Sequence, residues 1–264
     1  MRLGKWYNFC MKRKIIVGNW KMEPTTLIEA KRICNKIKIV AGKLKSTYVT
    51  MCPPSIYISS LISKNKNSLP KINIGAQNVY YEEHGAFTGE ISPAMLKDMG
   101  VTHVILGHSE RRNIGETDEI ISKKVQKTLE FGIHPIVCVG EKERDAHGLY
   151  LETLKAQIKN SISKAPKKLI NQLIIAYEPI WAIGAKEAMD PAIIHEMSLF
   201  VKKVLSDIYG HDSAINTPVL YGGSVNFRNA IDIINKGQVD GLLIGRESVN
   251  IPGFIELLKE VDKV

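Results

Sequence analysis

The sequence predicts one α/β domain built as a closed, all-parallel (β/α)8 barrel, and three observations carry that expectation. Eight short apolar runs alternate with amphipathic segments along the 264 residues. Strict alternation of this kind calls for parallel strands joined by helical crossovers. No domain linker or low-complexity tract interrupts the series, and eight units in a chain of this length favour closure over an open doubly wound sheet. Finally, the chemically unusual residues all stand where the apolar runs end, the face on which the loops of such a barrel converge.

Residues 1–11 read as a loose N-terminal extension, and the barrel is expected over residues 12–264. The first run, Lys14 to Gly18, leads into Asn19-Trp20-Lys21-Met22. Thr26 and Glu29 have capping-box spacing, so a helix is expected from there, with Leu27, Ala30, Ile33, Ile37 and Val40 on its apolar face. Tyr48 to Met51 stops at Cys52-Pro53-Pro54, and Ile72 to Ile74 stops at Gly75-Ala76-Gln77-Asn78. After a long polar loop, Ser92 and Pro93 supply an N-cap and a first-turn proline. His103 to Leu106 ends in Gly107-His108-Ser109-Glu110, and the helix after it runs from near Asp118 to Gly132. Pro135 to Val139 ends in Gly140-Glu141. Leu173 to Ala176 ends at Tyr177-Glu178-Pro179, and its helix opens at Asp190-Pro191. Pro218 to Tyr221 ends in Gly222-Gly223-Ser224, and Gly241 to Ile244 in Gly245-Arg246.

Composition bounds the function. No apolar run approaches the length of a membrane span, and residues 1–10 lack the continuous apolar core of a secretory signal. Four scattered cysteines without disulfide or metal spacing suit a reducing compartment, so a cytoplasmic location is expected. The formal net charge is +9, but the lysines are dispersed along helices and form no basic block with aromatics. No nucleic-acid partner is expected, and the charge fits a solvated surface or attraction of an anionic substrate.

Ala176-Tyr177-Glu178-Pro179-Ile180-Trp181-Ala182-Ile183-Gly184 is the stretch around which the functional reading is organised. Pro179 stops the strand and biases Glu178 away from helical dihedrals. A carboxylate on a rigid strand end among apolar neighbours is a candidate general base, although a surface carboxylate is the commoner case. His108 is either a donor at the site or a histidine holding a turn. Lys21, flanked by Trp20 and Met22, is either solvated or placed to stabilise developing negative charge. The glycine turns after the seventh and eighth runs sit where barrels bind phosphate. No dinucleotide or P-loop fingerprint and no metal-ligand spacing appears, so cofactor-free and metal-free chemistry is expected. A base, a neutral donor, a cation and a phosphate grip suit proton transfer beside a carbonyl, as in isomerisation of a phosphorylated sugar. Lyase or aldolase chemistry remains an alternative at this level.

Gly18-Asn19-Trp20-Lys21-Met22, Gly107-His108-Ser109-Glu110-Arg111-Arg112, the stretch from Ala176 to Gly184, and Tyr221-Gly222-Gly223-Ser224 together resemble the triosephosphate isomerase family from about Lys12 to the C-terminus. That family is a standard worked example of proton-transfer chemistry on a TIM barrel, and the roles below are carried over from it. The resemblance implies that D-glyceraldehyde 3-phosphate and dihydroxyacetone phosphate are interconverted, a step of glycolysis and gluconeogenesis. It makes Glu178 the base that moves a proton between C1 and C2, His108 the neutral group that polarises the carbonyl, and Lys21 the cation facing the enediolate. It also makes Asn19 a substrate-fixing residue, Gly184, Ser224, Gly245 and Arg246 phosphate contacts, and the loop after Pro179 a lid. Finally it implies a homodimer whose loop from Gln77 to Glu90 reaches the partner's site, with Thr88 supporting Asn19 and Glu90 pairing with Arg111.

Three positions depart from the family pattern. Thr-Gly-Lys usually follows Gly184, and Ala185-Lys186-Glu187 stands here. The last phosphate turn is usually Gly-Gly, and Gly245-Arg246 stands here; an arginine is strained at the second position if that position needs φ > 0. The segment from Arg112 to Glu116 is one residue short, which touches the packing beneath His108. The altered lid tip leaves open a related isomerase of a four-carbon ketose phosphate. A non-catalytic binding protein on the same barrel is the alternative of another class, and it predicts decay of the chemical set.

Overall fold

A computed structural model describes residues 13–62, 72–184 and 188–264. The expected N-terminal extension and the departure at Ala185-Lys186-Glu187 lie outside the described residues. Eight strands follow one another in sequence and in space: β1 (Lys14–Asn19), β2 (Thr47–Cys52), β3 (Ile72–Ala76), β4 (His103–Leu106), β5 (His134–Val139), β6 (Ile174–Tyr177), β7 (Val219–Tyr221) and β8 (Gly241–Ile244). All pairs are parallel, and β8 closes onto β1 through Ile15↔Gly241 to Gly18↔Ile244. Closure fixes glycine at 241, where a Cβ would fall 1.8 Å from the Ile15 carbonyl oxygen.

The helices are α1 (Leu27–Ala41), α2 (Ser55–Leu61), α3 (Pro93–Met99), α4 (Ser109–Asn113), α5 (Asp118–Glu130), α6 (Leu149–Ser161), α7 (Pro191–Tyr209), α8 (His211–Asn216), α9 (Ala230–Gly237) and α10 (Ile251–Val261). The expected caps form. Thr26 Oγ1 accepts from the Glu29 amide, Ser92 Oγ from Met95, and Asp190 Oδ1 from Ala192. Only half of the Thr26 capping box closes, because the Glu29 carboxylate accepts from Arg32 at 3.1 Å. The buried face of α1 is Ala30, Ile33, Cys34, Ile37 and Ala41, while Leu27 is 37% exposed. The stripe is therefore turned slightly from the one the sequence suggested.

Alternation along the strands makes two cores. Ile15, Val17, Ile105, Ile136, Cys138, Ile174, Ala176, Leu220 and Leu243 form a cluster of strand residues inside the barrel. Their neighbours Ile16, Val137, Ile175, Val219 and Leu242 face outward into a larger cluster shared with the helices. The interior is thus a packed plug, and the largest described cavity opens where the strands end.

Candidate active site

Asn19 ends β1, His108 stands two residues beyond β4, Glu178 follows β6, Gly222 follows β7, and Gly245 follows β8. The register of the barrel puts all five on one rim, where a cavity of about 850 Å³ opens between them. Lys21, Gly184, Ser224 and Arg246 line the same cavity. Every expected catalytic or substrate-binding position is therefore brought together.

Glu178 is fixed from both sides. Its amide donates to the Val139 carbonyl at 2.8 Å. Across the rim, a Cβ at Gly222 would lie 2.5 Å from Glu178 Cγ, and one at Gly140 would strike the Glu178 carbonyl oxygen at 1.9 Å. Gly222 and Gly223 thus have a packing reason to be glycine, since a Cβ at Gly223 would meet the Tyr221 hydroxyl at 2.3 Å. Glu178 is 6% exposed, and its Oε2 has no hydrogen-bond partner among the described residues. Beside it, burial pushes the Cys138 thiol well above its ordinary range, and the Glu178 carboxylate adds to the effect. The thiol therefore stays protonated and adds no second anion.

His108 is the N-cap of α4, and its Nδ1 accepts from the Glu110 amide at 3.2 Å. A nitrogen that accepts an N–H bond carries no proton, so the hydrogen of the neutral ring resides on Nε2. Nε2 lies 3.6 Å from Glu178 Oε1. A donor and a carboxylate thus face the same gap, too far apart to bond well and near enough to touch one small molecule.

Lys21 occupies the left-handed region with φ 53°, which costs a non-glycine residue roughly 1–2 kcal/mol. Asn19 Oδ1 accepts from the Lys21 amide at 3.0 Å, and Gln77 Nε2 donates to the Lys21 carbonyl at 2.8 Å. These bonds hold the strained turn and aim the ammonium into the cavity. There Lys21 Nζ meets Glu110 Oε1 at 2.5 Å. That pair is largely solvated, and exposed pairs are worth only ~0–1 kcal/mol, so the ammonium can exchange a carboxylate for a ligand oxygen at little cost. Glu110 and Gln77 were not singled out from the sequence. The available signal was their place in the loops after strand ends, one residue beyond β3 for Gln77 and four beyond β4 for Glu110.

The shortened segment beneath His108 remains tied together. Gly115 takes φ 103°, and the Glu116 amide donates to the Arg111 carbonyl at 3.1 Å. Arg112 Nε donates to the Gly107 carbonyl at 2.7 Å, and its guanidinium pairs with Asp118. Glu116 pairs with Lys124, both buried, and Lys124 also donates to Asn78 at 2.8 Å.

Arg246 opens a 3-10 turn, Arg246–Ser248, and is not among the residues with positive φ. The feared strain is therefore absent. Its sequence neighbour Glu247 is not its partner among the described residues; the Glu247 carboxylate accepts from Asn250 at 3.1 Å. Thr88 is exposed and lines neither cavity. Glu90 borders a smaller cavity of about 290 Å³ beside Asn19, Lys21 and His108. Within the chain, Arg111 pairs with Glu116 at 3.4 Å and not with Glu90.

Beyond Glu178, the rim is clamped by Glu141. Its Oε1 accepts from the Tyr177 hydroxyl at 2.8 Å, Trp181 Nε1 at 3.2 Å and Arg144 Nε at 3.0 Å. Among the described residues no group of His, Cys, Asp and Glu is placed to hold a metal ion, and no helix is long and apolar enough to cross a membrane.

The family model described as "Triosephosphate isomerase" matches residues 14–261. The chain is 40% identical to a protein of that name from Dehalococcoides mccartyi over 256 residues, covering 96% of this chain and 99% of the relative. It is 37% identical to the one from Dictyoglomus thermophilum, covering 94% and 100%, and 39% identical to the one from Fusobacterium nucleatum, covering 94% and 99%.

Proposed function

The chain belongs to the triosephosphate isomerase family, and on that premise we propose how the residues of its cavity divide the work. The reaction is the interconversion of D-glyceraldehyde 3-phosphate and dihydroxyacetone phosphate, a step of glycolysis. Glu178 removes a proton from the carbon beside the carbonyl and returns it to the neighbouring carbon. His108 donates its Nε2–H to the carbonyl oxygen and then to the oxygens of the enediolate. Lys21 leaves Glu110 and faces the negative charge that develops, while Asn19 fixes the backbone beneath it. Gly184, Ser224, Gly245 and Arg246 surround the phosphate through backbone groups. The loop after Pro179 closes over the ligand and excludes water.

The observation that carries this reading is the 3.6 Å approach of His108 Nε2 to Glu178 Oε1 inside a cavity that also receives Lys21. The four-carbon reading rested on Ala185-Lys186-Glu187, outside the described residues, and nothing in the described cavity favours it. The non-catalytic reading predicted a decayed set, and the set is intact. Steady-state assays with the triose phosphates and with a four-carbon ketose phosphate test the substrate directly. A preference for the four-carbon compound would overturn the proposal.

The same proposal includes a homodimer in which Thr88, on the loop from Gln77 to Glu90, enters the smaller cavity of a second copy. Supporting it, the loop tip is exposed, with Phe87 at 41%, and that cavity lies beside Lys21 and His108. Sedimentation of the full chain is expected to return a dimer that Thr88→Arg dissociates; a fully active monomer would remove this part. A cytoplasmic location is the remaining inference, supported by free, buried Cys34, Cys52 and Cys138.

A further inference from the structure

The wall of the larger cavity carries four carboxylates, Glu23, Glu110, Glu178 and Glu247, against two cations, Lys21 and Arg246. A phosphate dianion entering it meets an unfavourable fixed charge unless a cation is available. Lys21 is engaged by Glu110 at 2.5 Å. No ion pair with Arg246 occurs among the described residues, and the nearest carboxylate in sequence, Glu247, is occupied by Asn250.

The backbone presents this guanidinium from a fixed base. Ser248 Oγ lies 2.6 Å from the Gly245 carbonyl and 3.3 Å from that of Asn19, which fastens the turn to the end of β1. The turn also lies against Lys21, whose Cε would stand 3.3 Å from a Cβ at Gly245. Position 246 carries no left-handed requirement and accepts a long side chain. The result is an exposed arginine at the rim of the cavity, next to the residue group assigned to the phosphate.

We propose that the Arg246 side chain is a second arm of the phosphate grip, adding a charged, two-pronged donor to the backbone cradle. This rests on the functional reading above and goes beyond it, because that reading uses only the backbone at this position. A guanidinium fork matches two phosphate oxygens at once. It holds the phosphate equally in the bound substrate and in the transition state, so its effect falls on binding. The same arm captures inorganic oxyanions, making the enzyme sensitive to inorganic phosphate as a competitor.

The test compares wild type, Arg246→Ala and Arg246→Lys. Inorganic phosphate is used as a competitive inhibitor and titrated by calorimetry. Removal of the fork is expected to weaken phosphate binding about tenfold, the size of one charge-assisted contact. The KM for triose phosphate rises in parallel and carries most of the loss in kcat/KM. Arg246→Lys recovers part of the affinity, and the salt dependence of inhibition flattens in Arg246→Ala. Equal phosphate affinity in wild type and Arg246→Ala, or a loss confined to kcat, would overturn the proposal. Failure of the functional reading looks different: turnover would survive Glu178→Gln, while phosphate binding with and without Arg246 would still be measurable by calorimetry.

Discussion

His108 Nε2 stands 3.6 Å from Glu178 Oε1, with both side chains 7% exposed. The histidine is oriented by a backbone amide on its other nitrogen, and the glutamate lies so close to Gly222 and Gly140 that a Cβ at the first would strike its side chain and one at the second its backbone carbonyl. Each group is thus held by its own strand end, and the barrel register alone decides their separation.

The orientation of His108 makes its proton position measurable. In 15N-labelled protein, the hydrogen of the neutral ring is expected on Nε2, because Nδ1 accepts from the Glu110 amide. His108→Gln is expected to lower kcat by about 10²–10³ with a smaller change in KM, the size of a lost oxyanion donor. A ring protonated on Nδ1 instead would remove the donor from this account.

The wedge against Glu178 can be tested from the opposite wall. In Gly222→Ala the new methyl lies 2.5 Å from Glu178 Cγ, so the carboxylate must shift. A misplacement of about 1 Å can cost ~10²-fold, and a loss of that order in kcat/KM is expected. Circular dichroism checks that the fold survives. Unchanged kinetics in folded Gly222→Ala would mean that the position of the carboxylate is not critical.

At the opposite end of the barrel, His103 and His134 begin neighbouring strands, with ring centroids 5.1 Å apart. Burial holds His103 well below its ordinary value and lowers His134 to about 4. For a depressed histidine the unfolded chain binds more protons between the two values. The stability this pair contributes is therefore complete above about pH 6.5 and is lost as pH falls toward 4. Urea midpoints measured from pH 7 to pH 4.5 should fall, and His134→Gln should reduce the slope. An identical slope in His134→Gln would contradict the assignment.

Much of this was legible because each strand ends on Gly, Pro or a polar residue, and those endings also bear the chemistry. Asn19, Lys21, His108 and Glu178 fell on the rim for that reason. Helix α4 was missed because five residues of Ser-Glu-Arg-Arg-Asn carry no apolar period. With it went Glu110, whose amide orients His108 and whose carboxylate holds Lys21. Gln77 was visible as a strand-end residue, but its bond to the Lys21 carbonyl spans 56 positions and has no local signature. The strain feared at Arg246 was a question of one dihedral, which the residue types alone do not determine. The non-glycine residue at the rim that does adopt left-handed dihedrals is Lys21.

The most direct measurement is the isomerase turnover of Glu178→Gln beside wild type, in heavy water, following deuterium incorporation into the triose phosphate. Proton transfer through Glu178 allows wild type both to return the abstracted proton directly and to exchange part of it with solvent at the carboxyl group. It also predicts that the variant loses both turnover and exchange by at least about 10³-fold. A variant that isomerises at near wild-type rate, or one that loses turnover while exchange of the carbon-bound hydrogen persists, would contradict it.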